Sequence, residues 1–342
     1  MSAVHRMTDR VRRWWGTESE HLVYHFIAAP AAARPVTRDT YVRLWLTDMF
    51  LADARRQAAD VFPALRASVT LSFAGGFGAT KSTVLQSPPG QEAPGPRSGS
   101  LTGWLPYAGG TVAVQACLYS VKANDALRLA LDIVGGFASL VAPSVSALAG
   151  IGEQVAAGID KVESAIEEAG DSPVLLLDKE YAGAGATVDR LAPGHIVVIN
   201  TPARDFDVDK LDLVSGGLRY QGAPLDGVDY LLIEIQSVRE RDDWAFPELD
   251  ELLRAAKEAQ LRHETNRFER LRDELLVRIY TSPDLTPGDQ RRVATTMRAE
   301  LDDAALGAAA RDEAVSIAGL IERRGLPPAE AVANLTLPEL LS

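Results

Sequence analysis

The feature that most constrains this chain is a change of hydrophobic period near residue 246. Upstream, from Ser172 to Ser237, apolar residues come in short runs parted by Ala182-Gly-Ala-Gly, Ala192-Pro-Gly, Ser215-Gly-Gly and Asp226-Gly, which is strand and turn chemistry. Downstream, Leu249, Leu252, Leu253 and Ala256, then Phe268, Leu271, Leu275, Leu276 and Ile279, recur three and four apart as on one face of a helix. Strands in series followed by helices in series give an α+β fold. The sequence predicts an N-terminal mixed α/β region with a helical hairpin, a β-rich middle and an all-α C-terminal region. The regions fall at 1–19 (a basic N-terminal segment), 20–170, 171–245 and 246–342.

Within the first half, His21 to Ile27 reads as a strand and Tyr41 to Phe50 as either strand or helix. Asp53 to Asp60 reads as a helix stopped near Pro63, and Ala67 to Phe73 as a strand. Gly110 to Val121 is a further strand. Residues 87–103 hold Pro88, Pro89, Pro94 and Pro96 among glycines and serines, which marks an exposed loop. In the middle, strands are expected at Pro173 to Leu177, Gly194 to Asn200 and Tyr230 to Val238, with a short edge within Leu211 to Tyr220. Tyr230 to Val238 alternates and reads as half-solvated. At the C-terminal end, Thr286-Pro287 opens a helix, and Gly325 with Pro327-Pro328 closes the following one.

Ile133 to Gly152 carries no charged side chain, and its length alone suits a membrane span. Gly135, Gly136 and Pro143 interrupt it, however. A stripe of Val145, Leu148, Ile151, Val155, Ile159, Val162 and Ile166 continues through its boundary. A hairpin of two amphipathic helices over 124–168 accounts for that stripe better than a span does.

The formal net charge of −12 suits an acidic, soluble protein and disfavours a nucleic-acid partner, which calls for a basic stripe. The single cysteine, Cys117, sits in an alternating apolar run and reads as a small strand residue; it permits no internal disulfide and fits a cytoplasmic setting. Arginine greatly outnumbers lysine, as in chains from GC-rich bacterial genomes. Near the start, Arg12, Arg13, Trp14 and Trp15 suit either a membrane surface or a helix docked on the body.

Each motif with chemistry in it fails at a named position. Gly75, Gly76, Gly78, Lys81 and Ser82 approach a phosphate-binding loop, but Thr80 stands where its last glycine belongs, and Pro88 and Pro89 forbid the helix that must follow. Gly183-Ala-Gly185 lacks the third glycine of a dinucleotide fingerprint. Asp205, Asp207 and Asp209 are spaced like calcium ligands, yet Lys210 and Gly216 replace the glycine and glutamate of an EF-hand, leaving a weak cation site or a solvated acidic strand. Asp229 with Glu234 and Gln236 lacks the lysine of a nuclease core. His5, His21, His25, His195 and His263 are scattered. The cluster Arg239, Arg241, Asp242, Asp243 and Trp244 marks the junction of sheet and helix; it pairs internally or forms an interaction epitope. The expectation is a non-catalytic bacterial protein that works by interaction, as an assembly or regulatory component, with other proteins as partners and no cofactor. Self-association is compatible with it. The alternatives are a membrane-acting effector using 133–152 and a hydrolase or nucleotide-binding enzyme with an atypical site.

Overall fold

The computed structural model describes residues 21–30, 36–52, 61–72, 78–86, 99–122, 173–182, 189–202, 204, 206–225, 227–305 and 316–342. Among the described residues fourteen strands come first: β1 (Leu22–Ala28), β2 (Thr40–Phe50), β3 (Val61–Ser72), β4 (Gly78–Gln86), β5 (Gly99–Ser100), β6 (Leu105–Tyr107), β7 (Thr111–Lys122), β8 (Pro173–Ala182), β9 (Asp189–Arg190), β10 (Gly194–Asn200), β11 (Leu211–Val214), β12 (Gly217–Tyr220), β13 (Ala223–Pro224) and β14 (Tyr230–Val238). Helices follow: α1 (Pro247–Leu261), α2 (Thr265–Tyr280), α3 (Pro287–Ala305), α4 (Ile317–Arg324) and α5 (Leu337–Leu341). Among the described residues the order is strands then helices, an α+β fold.

The strands make three sheets. Sheet A runs β1-β10-β14-β2-β5, with β6 also paired to β2; sheet B runs β4-β3-β7-β8-β9; a small sheet C runs β11-β12-β13. Sheets A and B are the two layers of a sandwich. Their inner faces share one core of Val42, Leu44, Leu46, Ile196, Val198, Leu231, Ile233 and Ile235 from A against Val112, Val114, Leu118, Leu175 and Leu177 from B. Both sheets draw strands from either side of residue 170, so that position marks no break in the layers. Pro247 begins α1, and the described helices have a core of their own.

Several elements differ from expectation. Tyr41 to Phe50 is strand β2. β3 begins at Val61, ahead of the expected Ala67. Pro63 is tolerated inside it because β4 pairs only from Ala64 onward, so the missing N–H is required on one side at most. Residues 53–60 lie outside the described residues, as does the hairpin 124–168. The expected short edge near Leu211 is two strands of a hairpin. β14 is central in sheet A and not half-solvated along its length: Leu232 on its outer side is buried beneath sheet C with Leu211, Leu218 and Tyr230. Glu234, Gln236, Ser237 and Val238, farther along, remain half-buried.

A bulge decides which residues of β2 face out. Leu232 pairs with Asp48 but Ile233 pairs with Leu46, so Thr47 is an extra residue. Before it, Arg43 and Trp45 point outward while Leu44 and Leu46 enter the core. After it, the parity reverses, and Met49 joins the core while Phe50 packs under sheet C. The helices start and stop on local signals. Pro247 stands at the first turn of α1. The Thr286 hydroxyl accepts the Asp289 N–H at 3.3 Å ahead of α3, and Ser316 accepts the Gly319 N–H to cap α4. Gly325 closes α4 with φ of 72°, a conformation that favours glycine.

Candidate functional site

The junction cluster splits into an inward and an outward half. Arg241 is buried. Its Nε donates to Asp243 Oδ1 at 2.8 Å and its Nη1 to the Asp284 carbonyl at 2.9 Å. Its guanidinium lies 4.8 Å from the ring of Phe246 and 5.5 Å from that of Tyr41. Tyr41, from β2, is also buried; it donates to Asp289 Oδ2 at 2.8 Å and accepts the Thr286 N–H at 3.1 Å. Burial first, and then the Asp289 charge, push the Tyr41 phenol well above the usual range, so it stays protonated and donates. Arg292 on α3 completes the clasp, reaching Asp289 at 2.9 Å and Glu240 at 2.9 Å. This half joins sheet A to the helices. Trp244 packs on the helical core, and Arg239 is exposed.

Asp242 belongs to the outward half. Its Oδ1 accepts the indole N–H of Trp104 at 2.6 Å. The Arg43 guanidinium rests 4.2 Å from the Trp104 ring and 5.2 Å from that of Trp45. Arg43 Nε and Nη2 both donate to Gln236 Oε1, at 2.9 and 2.7 Å. Gln236 Nε2 donates to Glu234 Oε2 at 2.7 Å. Strand register sets His195 opposite Glu234, and Glu234 opposite Trp45. The outcome is a half-buried row of His195, Glu234, Gln236, Arg43 and Trp45 on the outer face of sheet A. Sheet C covers this face at the Tyr230 end, and the Tyr41 clasp lies at the other end. Burial lowers the His195 pKa, against the upward pull of Glu234, so its ring is neutral at pH 7.

The other sequence candidates do not gather here. Lys81 and Ser82 lie within β4, opposite Val69 and Ser68 of β3, and Gly78 begins that strand; Gly75 and Gly76 lie outside the described residues, as do Trp14, Trp15 and Asp205. Asp207 and Asp209 are not on a strand. Asp207 caps a short 3-10 helix, Val208–Lys210, accepting the Asp209 N–H, and pairs with Lys210 Nζ at 3.1 Å. Asp229 accepts the Ala52 N–H at 2.7 Å, which ties the end of β2 to the start of β14. Cys117 is buried in β7. Among the described residues no group of three or more His, Cys, Asp or Glu is placed to hold a metal ion, and no helix is long and apolar enough to cross a membrane.

Sequence reasoning found Asp242, set His195, Glu234 and Gln236 in unrelated groupings, and missed Arg43, Trp45 and Trp104. The only signal was the alternation Arg43-Leu44-Trp45-Leu46, whose outward residues are the large planar ones. The sequence matches no protein-family model and no curated protein.

Proposed function

We propose that this chain is a non-catalytic interaction protein, an assembly or regulatory component, and that it meets a partner protein with the outer face of sheet A. The observation that carries this reading is the fixed position of Arg43. Tryptophan and arginine supply much of the energy of protein interfaces, chiefly where they are held in place before binding. Here the guanidinium is already held by Gln236 and by two indoles. Little side-chain entropy is left to lose on contact with a partner. The face is the outer surface of sheet A, built from three adjacent strands. The net charge of −12 agrees with a partner that is not nucleic acid.

The test is comparative capture from the native host with wild type, Trp45→Ala, Arg43→Ala and Val214→Ser. Val214 is an exposed residue of sheet C and serves as the control. The reading expects the same protein to be captured by wild type and Val214→Ser and to fall at least tenfold with the two face variants. Equal capture by all four would refute it.

A further inference from the structure

The row that holds Arg43 ends in a group whose charge changes on the acid side of neutrality. His195 on β10 stands opposite Glu234 on β14. Side chains paired in this way have Cβ atoms about 5 Å apart. Glu234 accepts from Gln236, and Gln236 accepts from Arg43 twice. Arg43 in turn lies over Trp104. Side chains from three strands therefore lie in one row, hydrogen-bonded from Glu234 to Arg43, with a titratable ring facing Glu234 at one end and an indole-stacked cation at the other.

We propose that this series is a proton-linked device: protonation of His195 draws the Glu234 carboxylate to the imidazolium, and Gln236 passes the displacement to Arg43. The imidazolium brings a full charge as well as an N–H to the carboxylate, which the neutral amide of Gln236 cannot match. That amide is a rigid plane with its NH2 on Glu234 and its oxygen on Arg43. A turn at one end is a turn at the other. When the amide oxygen turns, Arg43 loses the acceptor that sets its place between the indoles.

The surroundings leave Glu234 as the group that answers His195. On β1 its cross-strand neighbour is Ile27, and His25 is the next residue on that face. On β2, Arg43 and Asp48 flank the row, and Asp48 accepts the Tyr230 hydroxyl at 2.6 Å. Sheet C turns apolar side chains, Leu211, Leu213, Leu218 and Tyr220, toward this face. Burial holds the His195 proton affinity down, so the device acts in mild acid. It rests on the partner-site reading only for its use, as regulation of that face; the displacement itself occurs in the free protein.

The experiment follows the His195 ring and the indole N–H resonances of Trp45 and Trp104 by NMR from about pH 8 to about pH 5, the range in which imidazoles titrate. The indole resonances should move with the same midpoint as His195 and stay still in His195→Gln. In Gln236→Leu, His195 should still titrate while the indoles stay still. Should Gln236→Leu fail to fold, Glu234→Gln keeps the shape, removes the charge, and should likewise silence the indoles. Indole shifts that ignore His195, or that persist when Gln236 or Glu234 is replaced, would overturn the device. No partner is needed, so failure here leaves the partner site standing, and failure of the capture test leaves the device standing.

Discussion

Glu300 on α3 is a fully buried carboxylate surrounded by three cations. It accepts from Lys257 of α1 at 2.7 Å, and from Arg323 and Arg324 of α4 at 2.8 and 2.7 Å. Burial alone would raise its pKa, but the bonds and charges of Lys257 and Arg323 outweigh that and hold it below the usual range. A carboxyl with a depressed pKa in the folded state stabilises the protein above its unfolded value, about 4.3, and that contribution is lost as pH falls through the lower folded value. Glu300→Gln should therefore cost about 2 kcal/mol at neutral pH, because it removes a charged acceptor from Lys257, Arg323 and Arg324. Urea unfolding should show that gap narrowing as pH falls below the unfolded value, about 4.3, toward the lower folded value. A gap that does not change with pH would mean the carboxylate charge is not what stabilises the site. Arg241 shows how much of this was legible at the scale of single residues. A dense charge cluster at a change of period pairs internally, and Asp243 was in view. Its other contacts, Tyr41 and the Asp284 carbonyl, lie far off in the chain and carry no local mark.

At the scale of elements, alternation located β10 and β14 to the residue, and cap-then-proline order located the start of α3. It did not separate strand from helix in Tyr41 to Phe50, because the bulge at Thr47 breaks the two-residue period in mid-strand. It also read β14 as half-solvated, since a polar residue after Leu232 looks the same whether or not a hairpin covers Leu232 itself. The bulge makes a sharp prediction. Deleting Thr47 joins Leu46 directly to Asp48, which makes the period strict while Met49 and Leu51 keep their places in the core. The variant should therefore keep a cooperative unfolding transition by circular dichroism. Loss of that transition would show that the extra residue is needed for β2 to pair with β14.

Across the whole molecule, the sandwich supplies an outer face and the helices are anchored beside it through Tyr41, Asp289 and Arg241. The α+β order was visible in the sequence because period is a local property. The face was not, because it is assembled from β2, β10 and β14, with Trp104 and Asp242 reaching in from connecting segments. Outward-pointing Arg43 and Trp45 look, in one dimension, like any solvated pair on a strand. The central claim is that this assembled face is where a partner protein binds. Its most direct test is photocrosslinking in the native host, with a benzophenone side chain placed at position 45 on the face and, separately, at positions 214 and 269 away from it. Because Trp45 is itself a proposed anchor, the probe is placed at position 238 on the same face as well; the account predicts one specific protein adduct from position 238 and none from 214 or 269. Adducts from 214 or 269 with none from 238 would contradict it.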